Sequence, residues 1–225
     1  MKLHKTWYLP DNDRIGHKNI DNGFPCHKVL PTALRYVKNF NRAIDAGAWI
    51  GDSTLFLAER FKEVIAFEAH PDTYECCLKN MLEKNMNNVT VNQVGLSDKT
   101  GELQFHRRLK SSNSGWLSNK TPPKDITTIP PITVHTTSLD ILDIPNIDFI
   151  KIDVDTHEGY LIAGALKWLQ KNQPVIMMEV KTRAHNRQFD NMPNPDLLLQ
   201  RIGYTRIEKI DKHDYIYVPQ NYNKP

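Results

Sequence analysis

The chain has 225 residues, of which 40% are hydrophobic, enough for one substantial core and too few to expect two independent domains. Its 29 basic and 26 acidic residues leave a net charge of +3, too small to indicate a nucleic-acid partner by itself. No apolar run is long enough to span a bilayer, and MKLHKTWYLP lacks the apolar centre of a secretory signal. The 3 cysteines suit neither a disulfide framework nor a zinc site, so we expect a cytoplasmic protein.

From residue 42 onward, short β-rich runs alternate with helical patterns, which is typical of a mostly parallel sheet with helices on both faces. Strands are predicted at 42–48, 63–69, 89–95, 147–155, 174–180, 204–210 and 214–219, the last two as an antiparallel pair. Helices are predicted at 53–61, at 71–85, along Leu161, Ala165, Leu166 and Leu169, and at 194–203. The expected fold is a three-layer α/β sandwich with a seven-stranded sheet.

We expect a single domain over residues 1–225, with its core at 41–218. Residues 1–40 precede the alternating pattern and contain the aromatic residues Trp7 and Tyr8 and a helix predicted at about 31–40. These features indicate a lid or docking segment.

Residues 99–140 interrupt the alternation, and we expect them to form a flap over the site. ELQFHR is expected to pair locally, whereas SSNSGW and TPPKDITTIPP are rich in turn-forming residues. Within SSNSGW, a polar turn either closes over a ligand or is an ordinary surface turn. This turn comprises Asn113, Ser114 and Gly115 beside Trp116.

A glycine-containing turn, AIDAGAWIGDS at 43–53, follows the first predicted strand. A dinucleotide-binding turn would read G-x-G-x-x-G, but only Gly47 and Gly51 are present and Trp49 would crowd a diphosphate. S-adenosylmethionine fits better, because it has an amino acid end and a nucleoside end but no diphosphate. Asp45 would lie near its ammonium group, and the two glycines would let the backbone approach it.

The ends of the next two strands extend this predicted donor site. A ribose with two free hydroxyls calls for an acidic acceptor at the end of the second strand, where Glu68 stands. Asp52 or Ser53 is expected to cap the helix after the glycine turn. Ser97 or Asp98 would bond the adenine amine or, alternatively, cap a turn. The predicted donor site comprises Asp45, Gly47, Ala48, Trp49, Gly51, Asp52, Ser53, Glu68, Ala69, Ser97, Asp98 and Asp153.

A second cluster of ionisable residues, KIDVDTHEGY, begins on the fourth predicted strand. Strand alternation would put Lys151, Asp153 and Asp155 on one face. Three ionisable side chains at the carboxyl end of a central strand are costly unless they meet partners or a ligand. The cluster is therefore a candidate catalytic site.

The chain resembles the FkbM-type methyltransferases over about residues 41–180. The resemblance is carried by an ordered set of motifs: AIDAGAWIGDS, VIAFEAHP, VGLSD followed by Gly101, TSLD, IDFIKIDVDTHEGYLIAGA and PVIMMEV. It implies a class I methyltransferase sheet, S-adenosylmethionine as donor with S-adenosylhomocysteine as product, and O-methylation of a sugar or natural-product hydroxyl. The family motifs match Asp45, Gly47, Gly51, Glu68, Asp153 and Glu158. Where the family usually reads E-G, this chain has Asp155 and Thr156, a departure that concerns the acceptor more than the donor.

Methyl transfer to a hydroxyl needs in-line alignment and removal of the hydroxyl proton. Asp155, His157 or Glu158 is the candidate base, although a lone histidine is often structural and Glu158 suits a helix start. Lys151 would stabilise a developing alkoxide, and Asp153 would anchor the site.

Three other hypotheses remain open at this stage. Asp153 and Glu179 would hold Mg²⁺ in a metal-assisted version, which lacks an obvious third ligand. The basic stretch HRRLK at 106–110 would contact RNA if the acceptor were a nucleic acid, although a solvated hairpin face is the simpler interpretation. The protein would be a donor-binding module without turnover if the departure at Asp155 and Thr156 abolished the chemistry.

Overall fold

A computed structural model describes residues 1–11, 13–107, 115–118, 130–180 and 192–224. The strands in these ranges are β1 (Lys2–His4), β2 (Trp7–Leu9), β3 (Arg42–Ala46), β4 (Glu63–Phe67), β5 (Val89–Asn92), β6 (Gly95–Leu96), β7 (Gly101–Arg107), β8 (Gly115–Leu117), β9 (Ile132–Thr137), β10 (Phe149–Ile152), β11 (Val175–Glu179), β12 (Tyr204–Lys209) and β13 (Asp214–Pro219). The helices are α1 (Arg14–Asn22), α2 (Cys26–Leu34), α3 (Asp52–Ala58), α4 (Pro71–Glu83), α5 (Leu139–Leu142), α6 (Glu158–Ala163), α7 (Leu166–Asn172) and α8 (Pro195–Arg201).

The main sheet has seven strands in the order β12-β13-β11-β10-β3-β4-β5. The five strands from β11 to β5 pair in parallel, and β13 is antiparallel to both of its neighbours. The order reverses between β3 and β10, because β3 is followed outward by β4 on one side and β10 by β11 on the other. Open α/β sheets bind ligands at such a reversal. The predicted seven-stranded sheet and its closing antiparallel pair are confirmed.

The central strands lie between two hydrophobic layers. Ile44 of β3 and Ile150 of β10 pack in one layer with Trp168 of α7. Phe149 of β10 packs in the other layer with Leu57 of α3. Because alternate residues of a strand face opposite sides, a continuous apolar run supplies both layers. The two strands at which the strand order reverses, β3 and β10, are therefore buried on both faces.

Two elements near the second ionisable cluster differ from the prediction. The strand predicted at 147–155 ends at Ile152. It could not have extended to Asp155, because Asp155 and Thr156 adopt φ angles of +46° and +73°, outside the strand region. The single helix predicted after it is two helices, α6 and α7. Asp155 therefore lies on a loop, and strand alternation does not decide where it points.

Two other boundaries also differ from the sequence prediction. The N-terminal helix predicted at 31–40 is α2, which begins at Cys26 and ends at Leu34 with Pro31 inside it. The strand predicted at 89–95 is divided, because β5 ends at Asn92 and β6 belongs to a different sheet.

The segment predicted as a flap forms most of a second sheet, in the order β6-β9-β7-β8. ELQFHR lies in β7, which is antiparallel to both β9 and β8, so its predicted local pairing is confirmed. Gly115, predicted to lie in a turn, begins the three-residue strand β8. Asn113, Ser114 and residues 121–129 of the proline-rich stretch lie outside the described residues.

The N-terminal hairpin of β1 and β2 is attached to the main domain by a buried asparagine. Asn80 of α4 is 0% exposed, accepts a hydrogen bond from Tyr8 N (2.7 Å) and donates to Tyr8 O (2.9 Å). It also donates to Ile50 O (2.8 Å) in the glycine turn. One side chain therefore joins the hairpin, α4 and the turn.

None of the helices in the described parts of the chain could cross a membrane.

We predict that Asn80→Ala lowers the free energy of unfolding by about 2–3 kcal/mol, because it leaves buried backbone groups without partners. Urea denaturation measures this change. Asn87→Ala removes an exposed asparagine and should change the free energy by less than about 0.5 kcal/mol. Equal effects of the two substitutions would contradict the role given to Asn80.

Candidate functional site

A cavity opens at the carboxyl ends of β3, β4 and β10, where the strand order reverses. The glycine turn, the end of β4 and the loop after β10 form its floor, and segments distant in sequence form its walls. The floor residues are Gly47, Trp49, Asp52, Ser53, Phe67, Glu68, Ala69, Lys151, Asp153, Val154 and Asp155. The wall residues are Asn19, Pro25, Cys26, Val94, Gly95, Leu96, Phe105, Gly115 and Leu117.

The two glycines of the turn serve close packing. Gly47 has φ +83°, and a Cβ there would lie 1.9 Å from the backbone oxygen of Asp153. Gly51 has φ +92°, and its Cβ would meet Met81 Cε at 2.9 Å and Cys77 Sγ at 3.0 Å on α4. The structure thus differs from the expectation for Gly51, because this glycine makes room for α4 rather than for a ligand.

Asp45 lies beneath the cavity rather than on its surface. Its side chain is 0% exposed and accepts hydrogen bonds from Ser53 Oγ (2.7 Å), Thr54 Oγ1 (2.7 Å) and Lys151 Nζ (3.2 Å). Asp45 therefore holds the start of α3 and Lys151 in place beneath the cavity.

The helix after the glycine turn lacks the expected side-chain cap. Gly51 is the residue at the N-cap position, so Asp52 and Ser53 are the first two residues of α3. The hydroxyl of Ser53 is directed to Asp45, and Asp52 Oδ2 accepts from the thiol of Cys26 (3.0 Å). Burial raises the pKa of Asp52. Asp52 lines the cavity, whereas Asp45 does not.

Lys151 joins the two central strands with a buried positive charge. It stands opposite Asp45 in the pairing of β10 with β3, and its Nζ contacts Asp45 Oδ1 (3.2 Å) and Gly47 O (3.1 Å). Asp153 Oδ2 is 3.8 Å away. Burial lowers the pKa of Lys151, but the carboxylates of Asp45, Asp153 and Asp52 outweigh it and hold the pKa above its ordinary value. The ammonium therefore remains charged inside the protein.

Glu68 lies at the end of β4 with its carboxylate on the cavity surface. Its Oε1 accepts from His70 N (2.9 Å) and Thr73 Oγ1 (2.9 Å), and its Oε2 from Trp49 N (2.8 Å). Burial raises the pKa of Glu68, while these hydrogen bonds act in the opposite direction. A carboxylate accepts about four hydrogen bonds, so Oε2 has capacity for one more.

The loop after β10 presents two aspartates to the cavity. Asp153 is the more accessible, with 47% of its side chain exposed. Asp155 Oδ2 accepts a hydrogen bond from Gly115 N (3.1 Å), which connects the loop to the second sheet. The two aspartates that the sequence indicated are therefore brought together, but by a loop rather than by one strand face.

His157 and Glu158 face the protein interior and are not among the cavity residues. Ser97 Oγ lies 2.9 Å from His157 Nε2, and the histidine ring stacks on Tyr160. Burial lowers the pKa of His157 to about 4. Glu158 Oε1 accepts from Thr156 N (3.1 Å). These contacts give both residues structural roles, so the structure does not support either as the base.

The adenine contacts expected from Ser97 and Asp98 also differ from the structure. Ser97 is buried, lies against His157 and donates to Asp98 Oδ1 (3.1 Å), while Asp98 is exposed. Neither residue is among those that line the cavity. The cavity near β6 is instead lined by Val94, Gly95 and Leu96.

Sequence reasoning placed Gly115 in the predicted flap and the VGLSD motif beside the site, but it did not single out the other wall residues. Asn19 and Cys26 come from the N-terminal segment, and Phe105 and Leu117 come from the second sheet. No motif marks these positions, and only the alternation in ELQFHR could have indicated that Phe105 faces a buried surface. Within the described ranges, no group of three His, Cys, Asp or Glu side chains is arranged to hold a metal ion.

A doubly wound sheet in this order, with a cavity at its reversal, defines a Rossmann-like fold of the class I methyltransferase type. The family model of the methyltransferase FkbM domain matches residues 45–206, and the chain belongs to this family. The resemblance noted in the motifs is therefore confirmed. A search of curated proteins finds no match.

Several solved methyltransferase structures are similar in fold. Methyltransferase FkbM from Methylobacillus flagellatus KT is 20% identical, with a TM-score of 0.52, over 79% of this chain and 43% of that one. This chain thus spans less than half the length of that relative. Precorrin-6y C5,15-methyltransferase from Geobacter metallireducens GS-15 is 12% identical over 96% of both chains, with a TM-score of 0.51. A SAM-dependent O-methyltransferase from Thermotoga maritima is 13% identical over 90% and 69%, with a TM-score of 0.52.

We predict that Asp45→Asn or Lys151→Met alone lowers the free energy of unfolding by about 3–5 kcal/mol, because each leaves a buried partner uncompensated. The double variant should lose clearly less than the sum, and urea denaturation of the full cycle measures the coupling. The pair Lys171–Asp143 is the control, since its side chains are 57% and 60% exposed and it should couple by at most about 1 kcal/mol. Additive losses at Asp45 and Lys151 would overturn the assignment.

We predict that acid destabilises the protein through His157. Its pKa is about 4 when folded against an ordinary value of 6.5, so the unfolded chain binds more protons as the pH falls below 6.5. The free energy of unfolding should therefore fall by about 2 kcal/mol from this residue between pH 7.5 and 5. Urea midpoints measured across this range should fall less steeply for His157→Gln than for the unaltered protein. Parallel profiles would contradict the prediction. Part of the slope should persist, because burial also lowers the pKa of His70 to about 4.

Proposed function

We propose that this methyltransferase uses S-adenosylmethionine to methylate a hydroxyl group on a sugar, a glycan or another small molecule. The observation that carries the proposal is one cavity that presents Glu68 at the end of β4 and Asp153 at the end of β10. The first carboxylate suits a ribose, and the second suits a reacting hydroxyl. The Thermotoga maritima protein of similar fold is named a SAM-dependent O-methyltransferase, in keeping with this proposal.

The residues of the cavity fit the proposed donor. Glu68 Oε2 has capacity to accept a hydrogen bond from a ribose hydroxyl, beside the one from Trp49 N. Asp52 would receive the ammonium group, the role that the sequence had suggested for the buried Asp45. Val94 and Phe105 provide apolar surface of the kind that suits a purine. The donor site would then combine the glycine turn with both walls.

The chemistry needs little beyond alignment and proton removal. S-adenosylmethionine supplies a methyl group on a sulfonium, which is reactive without further activation. The protein holds the acceptor hydroxyl in line and takes its proton. Asp153 is the proposed base, because it is the exposed carboxylate of the loop after β10. Lys151, 3.8 Å from that carboxylate, would fix its position and offset the negative charge that develops at the acceptor.

A nucleic-acid acceptor receives less support from the basic stretch at 106–110. His106 is buried, and its Nε2 lies 2.9 Å from Ser118 O. Arg107 contacts Asp72 at 3.5 Å. Residues 108–110 lie outside the described residues. The two described members of the stretch therefore make contacts within the protein, which favours a small hydroxylated acceptor over RNA.

The experiment is to incubate labelled donor and protein with a panel of sugars, glycans, lipids and RNA, and to measure which fraction takes up the methyl group. Asp153→Asn should lower transfer by about 10²–10⁴-fold, because it removes the base. Calorimetry should give it an S-adenosylhomocysteine affinity within about threefold of the unaltered protein. Asp143→Asn, at an exposed carboxylate of α5's end, is the control and should leave both measurements unchanged.

Glu68→Gln, in contrast to Asp153→Asn, should lose affinity for the donor product. We predict that it weakens S-adenosylhomocysteine binding by about tenfold or more, because it removes a charged acceptor from the proposed ribose site. Isothermal calorimetry measures the affinity, and circular dichroism checks that the variant is folded. An unaltered protein that binds no S-adenosylhomocysteine would overturn the proposed donor. Methyl transfer to RNA alone would overturn the proposed acceptor.

A further inference from the structure

The loop after β10 contacts the short strand β8. Gly115 N donates a hydrogen bond to Asp155 Oδ2 at 3.1 Å. This contact joins the loop that follows the main sheet's central strand to the edge of the second sheet. It also joins two parts of the cavity lining, since Asp155 and Gly115 both line it.

The loop has a backbone conformation that directs Asp155 toward β8. Asp155 and Thr156 are consecutive residues with φ of +46° and +73°, which is costly for a β-branched threonine. Thr156 N donates to Glu158 Oε1 at 3.1 Å, and Glu158 is 3% exposed. Strained backbone persists only where the surroundings determine it, and it clusters at functional sites. The loop is therefore fixed from the helix side, with Asp155 at its tip.

The strand that Asp155 contacts lies at the edge of the second sheet as far as the structure describes it. β8 has three residues, and among the described strands it pairs with β7. Its backbone lies close to Phe105, since a Cβ on Gly115 would be 2.3 Å from Phe105 Cε1. Phe105 lines the cavity as well. Movement of β8 would therefore move the wall that faces a bound ligand.

We propose that Asp155 is a positioning residue that fastens β8 and Phe105 over the donor, so that its carboxylate retains the bound donor without acting as the base. The role rests on the proposed function, because it needs a donor in the cavity. Asp155 acts through Gly115 N, and the transferred methyl and proton need not contact it. Asp155 stands where the family usually has glutamate, and here its carboxylate accepts the hydrogen bond of the β8 backbone.

Two substitutions at Asp155 test whether the hydrogen bond to β8 matters. One removes the charge and keeps an acceptor, and the other removes the acceptor and keeps the backbone conformation. Asp155→Asn keeps an acceptor oxygen and tolerates positive φ, but it has no charge. Asp155→Gly tolerates positive φ but has no acceptor. Thr156→Gly is the matched control, because it adds a glycine to the same loop and keeps the carboxylate.

The first readout is S-adenosylhomocysteine binding, by calorimetry and by stopped-flow dissociation. Asp155→Gly should weaken binding by about fivefold to tenfold, mainly through faster dissociation, because one hydrogen bond at the wall is lost. Asp155→Asn and Thr156→Gly should remain within about twofold. Unchanged dissociation in Asp155→Gly, or equal loss in Thr156→Gly, would overturn the proposal. Abolished methyl transfer in Asp155→Asn with normal binding would do so too, because it would identify Asp155 as the base.

The second readout does not depend on a ligand. Gly115 is the glycine that follows a serine in this chain, so labelling serine at the carbonyl carbon and glycine at nitrogen selects its amide in an NMR spectrum. We expect this amide to move upfield in Asp155→Gly, because it loses its hydrogen-bond acceptor. An unchanged Gly115 signal in Asp155→Gly would overturn the positioning role of Asp155 even if the donor binds. Absence of S-adenosylhomocysteine binding with the expected NMR shift would instead count against the proposed function alone.

Discussion

The site depends on the buried ion pair between Lys151 and Asp45. Two charges this enclosed are tolerated only when hydrogen bonds satisfy them, and here Ser53, Thr54 and the Gly47 carbonyl complete the network. The pair joins β10 to β3 where the strand order reverses. Asp45 also binds the first turn of α3 through Ser53 and Thr54, and Lys151 binds the glycine turn through the carbonyl of Gly47. Asp45 lies beneath the cavity, whereas Lys151 is among the residues that line its floor, so the positive member of the pair is the one placed toward a ligand.

The cavity combines a floor that belongs to the main sheet with walls that do not. Glu68, Asp52 and Asp153 extend from strand ends and the first turn of α3, so their positions follow from the sheet. The walls come from the N-terminal segment and from the second sheet, which are attached by polar contacts such as those of Asn80 and Asp155. A ligand in the cavity would therefore contact both the main sheet and the segments attached to it.

The sequence predicted the location of a side chain best where the residue directly follows a strand. Glu68 and Asp153 follow directly after apolar strands, and parallel strands end at the same edge, so both were expected at the cavity. Asp45 and His157 are both buried in the folded chain, which residue type and chain position do not reveal. Gly51 was assigned to the ligand because a glycine pattern does not reveal which neighbour requires the space, and that neighbour is α4.

The alternation of apolar runs and helical patterns predicted the seven-stranded sheet, and the ordered motifs indicated the family. Such features are local, because periodicity and motif spacing are written in consecutive residues. The direction of each ionisable side chain was decided only by tertiary structure. Lys151 and Asp45 are 106 positions apart, and Asp155 meets Gly115 across 40. Contacts over such separations depend on how sheets and loops pack, so the charges that stay buried and those that face a ligand are distinguished only in the folded chain.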